Sequence, residues 1–109
     1  MHRLITFFTA ALLAASAQAA APRLSAAQLL AAFQPASAPG EQRYAEGYLA
    51  GVADAAQGKH WCDTGRVKSV ELDGMVLADL RKLPAARRQR EAAPLIVAIL
   101  ARRFPCSQP

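Results

Sequence analysis

Residues 44–62 read YAEGYLAGVADAAQGKHWC, a helical segment followed by the first of only two cysteines in the chain. The second cysteine lies near the C-terminus, in Phe104-Pro105-Cys106. Two cysteines allow only one intramolecular pairing, Cys62 with Cys106, once the thiols meet an oxidant. We therefore expect one disulfide that ties the end of this helix to the C-terminal tail.

The N-terminus predicts export to an oxidising compartment. A positive charge precedes an apolar run that ends near Ala15, and residues 17–19 form a small-x-small cleavage site. We interpret residues 1–19 as a cleaved signal peptide and residues 20–109 as one mature helical domain in the periplasm. The apolar run is shorter than the roughly 20 residues that cross a bilayer, so no stable membrane insertion is expected.

Helical periodicity and turn residues predict an all-α fold, a small four-helix domain with one disulfide. Ser25 and Gln28 match a capping box at the first helix, and Gly58 is placed to end the second. The last helix is apolar almost all round, which suits either a central element or a homodimer interface. Residues 84–91 are basic and are expected to form one irregular helical turn. The predicted helices run from Ser25 to about Phe33, from Glu41 to Gln57, from Ser69 to just before Pro84, and from Ala92 to about Phe104.

The second helix carries two glycines, Gly47 and Gly51, beside Tyr44 and Tyr48. Glycine inside a helix costs up to about 1 kcal/mol relative to alanine, so two of them one turn apart indicate that another backbone approaches closely. We therefore predict a helix-packing motif on this face. Asp54 lies at its edge and is expected to pair with an arginine or with backbone amides, because an unpaired half-buried charge is unfavourable.

The chain has a net charge of +5, and its basic residues crowd the last third. An exported protein rarely meets nucleic acid, so a nucleic-acid partner is not expected. The basic residues form either a solvated face or a contact with an anionic partner. Arg87, Arg88 and Arg90 are the most exposed charged feature in this interpretation, and we predict that they contact an acidic cleft of a partner.

The inventory of reactive side chains argues against an enzyme or a metalloprotein. A structural zinc site needs four ligands, usually Cys or His. The predicted mature chain has one histidine, His60, and its two cysteines are expected to be bridged. His60 has no evident orienting carboxylate, and no phosphate-binding loop or nucleophile elbow is present. We predict no catalytic residue, no metal and no cofactor, and we expect Trp61 to pack against the disulfide.

The pattern Tyr-x-x-Gly-Tyr-x-x-Gly-x-x-Asp-x-x-x-Gly-x-x-Trp-Cys, followed later by Phe-Pro-Cys, resembles the Rap/Tai family of periplasmic immunity proteins of type VI secretion. The resemblance covers residues 44–106 and departs at Thr64, where the family often has proline. It implies a small disulfide-bonded helical protein, commonly a homodimer, that binds a peptidoglycan amidase effector and obstructs its active-site cleft. The matching residues are Tyr44, Gly47, Tyr48, Gly51, Asp54, Gly58, Trp61, Cys62, Phe104, Pro105 and Cys106.

A second interpretation is a small periplasmic stress or chaperone-like protein. The compact helical scaffold with its basic surface suits that role as well. Suppression of the aggregation of unrelated client proteins would distinguish it from an immunity protein.

Overall fold

The computed structural model describes residues 23–107. Outside the helices, backbone bridging within this range is limited to two isolated bridges, so the all-α prediction is confirmed. The four predicted helices are present, and a single-turn helix occupies the basic segment where one irregular turn was expected. The predicted signal peptide lies outside the described residues. The helices are α1 (Ala26–Ala32), α2 (Pro39–Ala56), α3 (Ser69–Lys82), α4 (Ala85–Arg88) and α5 (Ala92–Arg103).

Helix α5 is the central element of the described domain. Helices α1, α2 and α3 all pack against it, which explains why its sequence is apolar on nearly every side. The sequence allowed two roles for this helix, a central element or a homodimer interface. The central role is observed, and the homodimer stays a prediction. Five α5 residues are buried: Ala92, Leu95, Ile96, Ile99 and Leu100.

The start of α1 is fixed by the predicted capping box. The Gln28 backbone N–H donates to Ser25 Oγ at 3.1 Å, and the Ser25 N–H donates to Gln28 Oε1 at 2.9 Å. The residues just before α1 also hold the start of α5, because the Ala92 N–H donates to the Leu24 carbonyl at 2.8 Å. Amide groups that a helix N-terminus leaves unpaired are thereby satisfied in both helices.

Helix α2 begins at Pro39, two residues before its predicted start, since proline is favoured at the first helical position. It ends at Ala56, one residue before its predicted end, and Gly58 lies in the turn that follows, with a φ of 80° in the left-handed region that glycine adopts readily. The Gly58 N–H donates to the Trp61 carbonyl at 2.7 Å. This tight turn brings the chain back along the end of α2 and delivers Trp61 to the core.

Candidate partner-binding surfaces

The disulfide joins the loop after α2 to the tail after α5. Cys62 and Cys106 are bonded, with Cα atoms 4.8 Å apart, which confirms the predicted pairing. The Cys62 N–H donates to the Phe104 carbonyl at 3.0 Å, so backbone contact supports the covalent bond. Because both sulfurs are consumed, neither cysteine is free to coordinate a metal or to attack a substrate.

Trp61, which the sequence predicted to pack against the disulfide, is buried in the core next to Cys62 in the chain. Its side chain is 4% exposed, and its indole Nε1–H donates to the Ala53 carbonyl of α2 at 2.8 Å. Its ring lies 6.0 Å from that of Phe104, measured between centroids. Trp61 therefore connects α2 to the C-terminal tail by packing and by a buried hydrogen bond.

The predicted packing of the glycine face within the chain is wrong. Gly47 and Gly51 are exposed, and a Cβ atom added at either would meet nothing within 4 Å. Tyr44 on the same face is 58% exposed, whereas Tyr48 packs against the edge of the core. Relative to the predicted orientation, α2 is rotated about its axis, because a different stripe of the helix is buried against the other helices. The buried stripe of α2 comprises Ala45, Leu49, Ala53 and Ala56.

Asp54 does not pair in the way that the sequence suggested. It is exposed, and it makes no salt bridge or side-chain hydrogen bond with any residue from 23 to 107. The rotation of α2 explains the difference, since Asp54 lies away from the buried stripe. It lines a cavity between α2 and α3 instead.

This cavity is one half of a continuous groove, called here the α2/α3 groove. Helices α2 and α3 both pack on other helices and make little contact with each other, which leaves open space between them. Two adjoining cavities of about 190 and 510 Å³ fill that space and share three lining residues. The groove is lined by Phe33, Glu46, Ala50, Ala53, Asp54, Trp61, Asp63, Val67, Ser69, Val70, Leu72, Asp73, Gly74 and Leu77.

The charged side chains of the α2/α3 groove are all acidic. Glu46, Asp54, Asp63 and Asp73 line it, and no Lys, Arg or His from residues 23–107 is part of its lining. Among the described residues, none of these four carboxylates forms a salt bridge. Partial burial raises the pKa of Asp73, and the negative charge of Glu46 raises it further. The groove therefore concentrates negative charge without a neutralising partner.

A further acidic residue, Asp79, was missed by the sequence analysis. It is buried on α3 and accepts two hydrogen bonds from Arg103, at 2.7 Å from Nε and 2.8 Å from a terminal nitrogen. The hydrogen bond from Arg103 is the main reason why the pKa of Asp79 is lowered. The sequence does contain a sign of this pairing, because Asp79 lies among Val76, Leu77 and Leu80. A charge on an apolar stripe requires a partner.

The predicted basic contact segment lies at α4 and the turn after it. Arg87 and Arg90 are exposed, whereas Arg88 is half-buried. The Arg88 Nε atom is buried and has no hydrogen-bond partner among residues 23–107. The structure therefore makes Arg87 and Arg90 accessible to a partner, and contact with a partner stays a prediction for all three arginines.

A second groove, of about 550 Å³, lies between α1 and the start of α2. It is mainly apolar, and Tyr44 and Glu41 stand among its lining residues. No cluster of three or more His, Cys, Asp or Glu side chains suited to a metal ion occurs in the described part of the chain. Across that same range, each helix is too short or too polar to span a membrane.

Comparison with known proteins adds one finding. The family model for Rap1a immunity proteins matches residues 9–106, which include both cysteines and all five helices described above. A search among curated proteins finds no significant match.

Proposed function

Because the chain belongs to the Rap1a immunity protein family, we propose that it is a non-catalytic periplasmic immunity protein that binds and blocks a type VI secretion peptidoglycan amidase effector. The family match over residues 9–106 carries the proposal. The resemblance of residues 44–106 to the Rap/Tai pattern suggests the class of effector. As part of the same proposal, we expect the protein to be a homodimer.

Export is supported by the chemistry of the bridge. Disulfides persist in oxidising compartments such as the bacterial periplasm and are rare in the cytosol. The bond between Cys62 and Cys106 therefore agrees with the predicted signal peptide at residues 1–19. A protein that meets its target in the periplasm has to carry such a leader and to fold after translocation.

Inhibition without catalysis is supported by the environments of the cysteine, tryptophan and histidine side chains. Both sulfurs are joined, the Trp61 N–H is engaged, and His60 is exposed on a turn. A scaffold held by a central helix and a disulfide presents a preformed surface, which reduces the entropy lost on association. Such a protein can inhibit by occupying the cleft of its target.

The basic segment supplies one testable contact. Arg87 and Arg90 project from a short rigid turn, since the Arg90 carbonyl accepts a hydrogen bond from the Ala26 N–H at 3.0 Å. We propose that these two side chains approach an acidic rim of the effector's cleft. Charges at the rim of an interface chiefly accelerate association and make it dependent on salt.

The experiment uses the exported, oxidised protein and any amidase effector encoded beside its gene. Saturable, equimolar inhibition of peptidoglycan hydrolysis, together with binding by calorimetry, is the expected result. Failure to bind and to inhibit even at a large excess would contradict the proposal. Suppression of client aggregation by the same preparation would then favour the stress or chaperone-like role.

Charge reversal tests the basic segment separately. The variant R87E/R90E should bind the effector more slowly and with a flatter salt dependence, because two attractive charges become repulsive. A matched control is R43E/R66E, which reverses two exposed arginines elsewhere on the surface. Equal effects of the two variants would show that only net charge matters and that the segment is not the contact.

A further inference from the structure

The α2/α3 groove concentrates charge of the sign opposite to that of the chain as a whole. Lys and Arg outnumber Asp and Glu by 13 to 8, yet four of those eight acidic residues line this one groove. In the described part of the chain, the groove lining contains no basic side chain. The acidic groove is therefore a local feature that the overall composition does not explain.

Apolar side chains accompany the carboxylates. Phe33, Val70 and Leu77 line the wider part of the groove, and Val70 is 83% exposed. Phe33 is half-buried and Leu77 is buried, so Val70 is the apolar side chain of the three that a partner can cover most fully. Val70 and Leu77 are separated by seven residues of helix, or about 10 Å along the axis, which is the length of two helical turns.

The acidic side chains are held near one another without compensation. Glu46 on α2 and Asp73 on α3 both line the wider part of the groove, and neither forms a salt bridge with any residue from 23 to 107. Asp54 and Asp63 extend the same charge towards Trp61 in the narrower part. A positively charged occupant would relieve this repulsion and would gain attraction from both helices.

We propose that the α2/α3 groove docks a basic, amphipathic segment of a partner protein. The Lys or Arg side chains of that segment pair with Glu46 and Asp73. The apolar side of the segment covers Val70. This inference rests on the proposed function for the identity of the partner, which is the effector. It adds a second contact, between the groove and basic residues of the effector. This contact is separate from the one proposed between Arg87 and Arg90 and an acidic rim of the effector's cleft.

The effector experiment compares two double charge reversals on the same two helices. E46K/D73K changes the groove, and E41K/E71K changes exposed acidic residues outside it. The groove variant should bind at least about tenfold more weakly than the wild-type protein, and the control should stay within about twofold. Circular dichroism and thermal unfolding establish that both variants are folded.

Failure of the inference is distinguishable from failure of the proposed function. If the wild-type protein binds and inhibits the effector and E46K/D73K does so equally well, the groove inference is overturned and the function stands. If the wild-type protein binds no effector, the proposed function fails. The groove is then judged by a second measurement that requires no effector.

The probe in that second measurement is a synthetic amphipathic peptide built from Leu and Lys. Its binding is followed by the backbone amide chemical shifts of the protein in NMR spectra. Shifts confined to residues 46–54 and 69–77, lost in E46K/D73K and kept in E41K/E71K, support the inference. Shifts elsewhere, or shifts of equal size in both variants, overturn it. Salt-sensitive self-association that E46K/D73K abolishes would assign the groove to a second copy of the chain and would overturn it as well.

Discussion

Removal of the disulfide provides the most quantitative test of how this small domain is stabilised. The bridge joins residues 44 positions apart. In the chain-entropy model, closing a loop of that length destabilises the unfolded state by about 4 kcal/mol. A domain of this size is stable by only about 4 to 13 kcal/mol, so the bridge supplies a large share of the total.

The native contacts around the bridge do not require the sulfur atoms. The Cys62 N–H bonds to the Phe104 carbonyl, and the Phe104 ring lies beside Trp61. We therefore expect C62S/C106S to retain the helical circular dichroism spectrum in the absence of denaturant. Its free energy of unfolding should be lower by about 4 kcal/mol, with a larger dependence on urea because the unfolded chain becomes less compact.

The assay is urea unfolding followed by circular dichroism and by the fluorescence of Trp61, the only tryptophan in the chain. The wild-type protein in reductant is the matched control, since it lacks the bond but keeps both cysteine side chains. Agreement between the reduced protein and C62S/C106S would assign the loss to the bond. A loss below about 1 kcal/mol in both would refute the chain-entropy reasoning.

Three further variants test the observed packing. G47A/G51A should stabilise the protein by about 0.5–1 kcal/mol for each site in thermal or urea unfolding, because both glycines are exposed within a helix and a Cβ atom meets no neighbour. D79N should lower the free energy of unfolding by about 1–3 kcal/mol at neutral pH through loss of the charged hydrogen bonds to Arg103. Because the pKa of Asp79 is lowered in the folded state, this contribution is present above the unfolded value of about 3.9 and is lost as the pH falls through the folded value. W61F should cost about 1–3 kcal/mol, since it removes a buried N–H donor and part of a buried ring.

Each of these substitutions has an outcome that contradicts the structure. G58A is the counterpart of G47A/G51A and should destabilise the protein, because Gly58 has a positive φ. Destabilisation by G47A/G51A would indicate that another backbone does cover that face. A difference between D79N and the wild type that stays unchanged as the pH falls well below the unfolded value of about 3.9 would exclude the ionised form of Asp79 as its source. An unchanged stability of W61F would show that the hydrogen bond to α2 contributes nothing.

Local features made the secondary structure predictable. Ser25 with Gln28 marks the start of α1, and Gly58 marks the turn just after α2, because capping and chain reversal depend on neighbouring residues. The apolar circumference of α5 predicted either a central element or a homodimer interface, and the fold shows the central position. The disulfide followed from counting, since two cysteines have one possible pairing.

Features that depend on the rotation of one helix against another were not predictable. Spacing shows that Tyr44, Gly47 and Gly51 share one side of α2, but not whether that side is buried. The same limit hid the pairing of Asp79 with Arg103, which are 24 residues apart.

Helix positions, helix ends and the cysteine pairing thus follow from the order of residues along the chain, because the forces behind them act between near neighbours or permit a single choice. The exposed glycines, the pairing of the buried Asp79 with Arg103 and the acidic groove exist only in the folded molecule. They arise because α2 and α3 both pack on the same central helix and leave space between themselves, an outcome of competing contacts among distant residues.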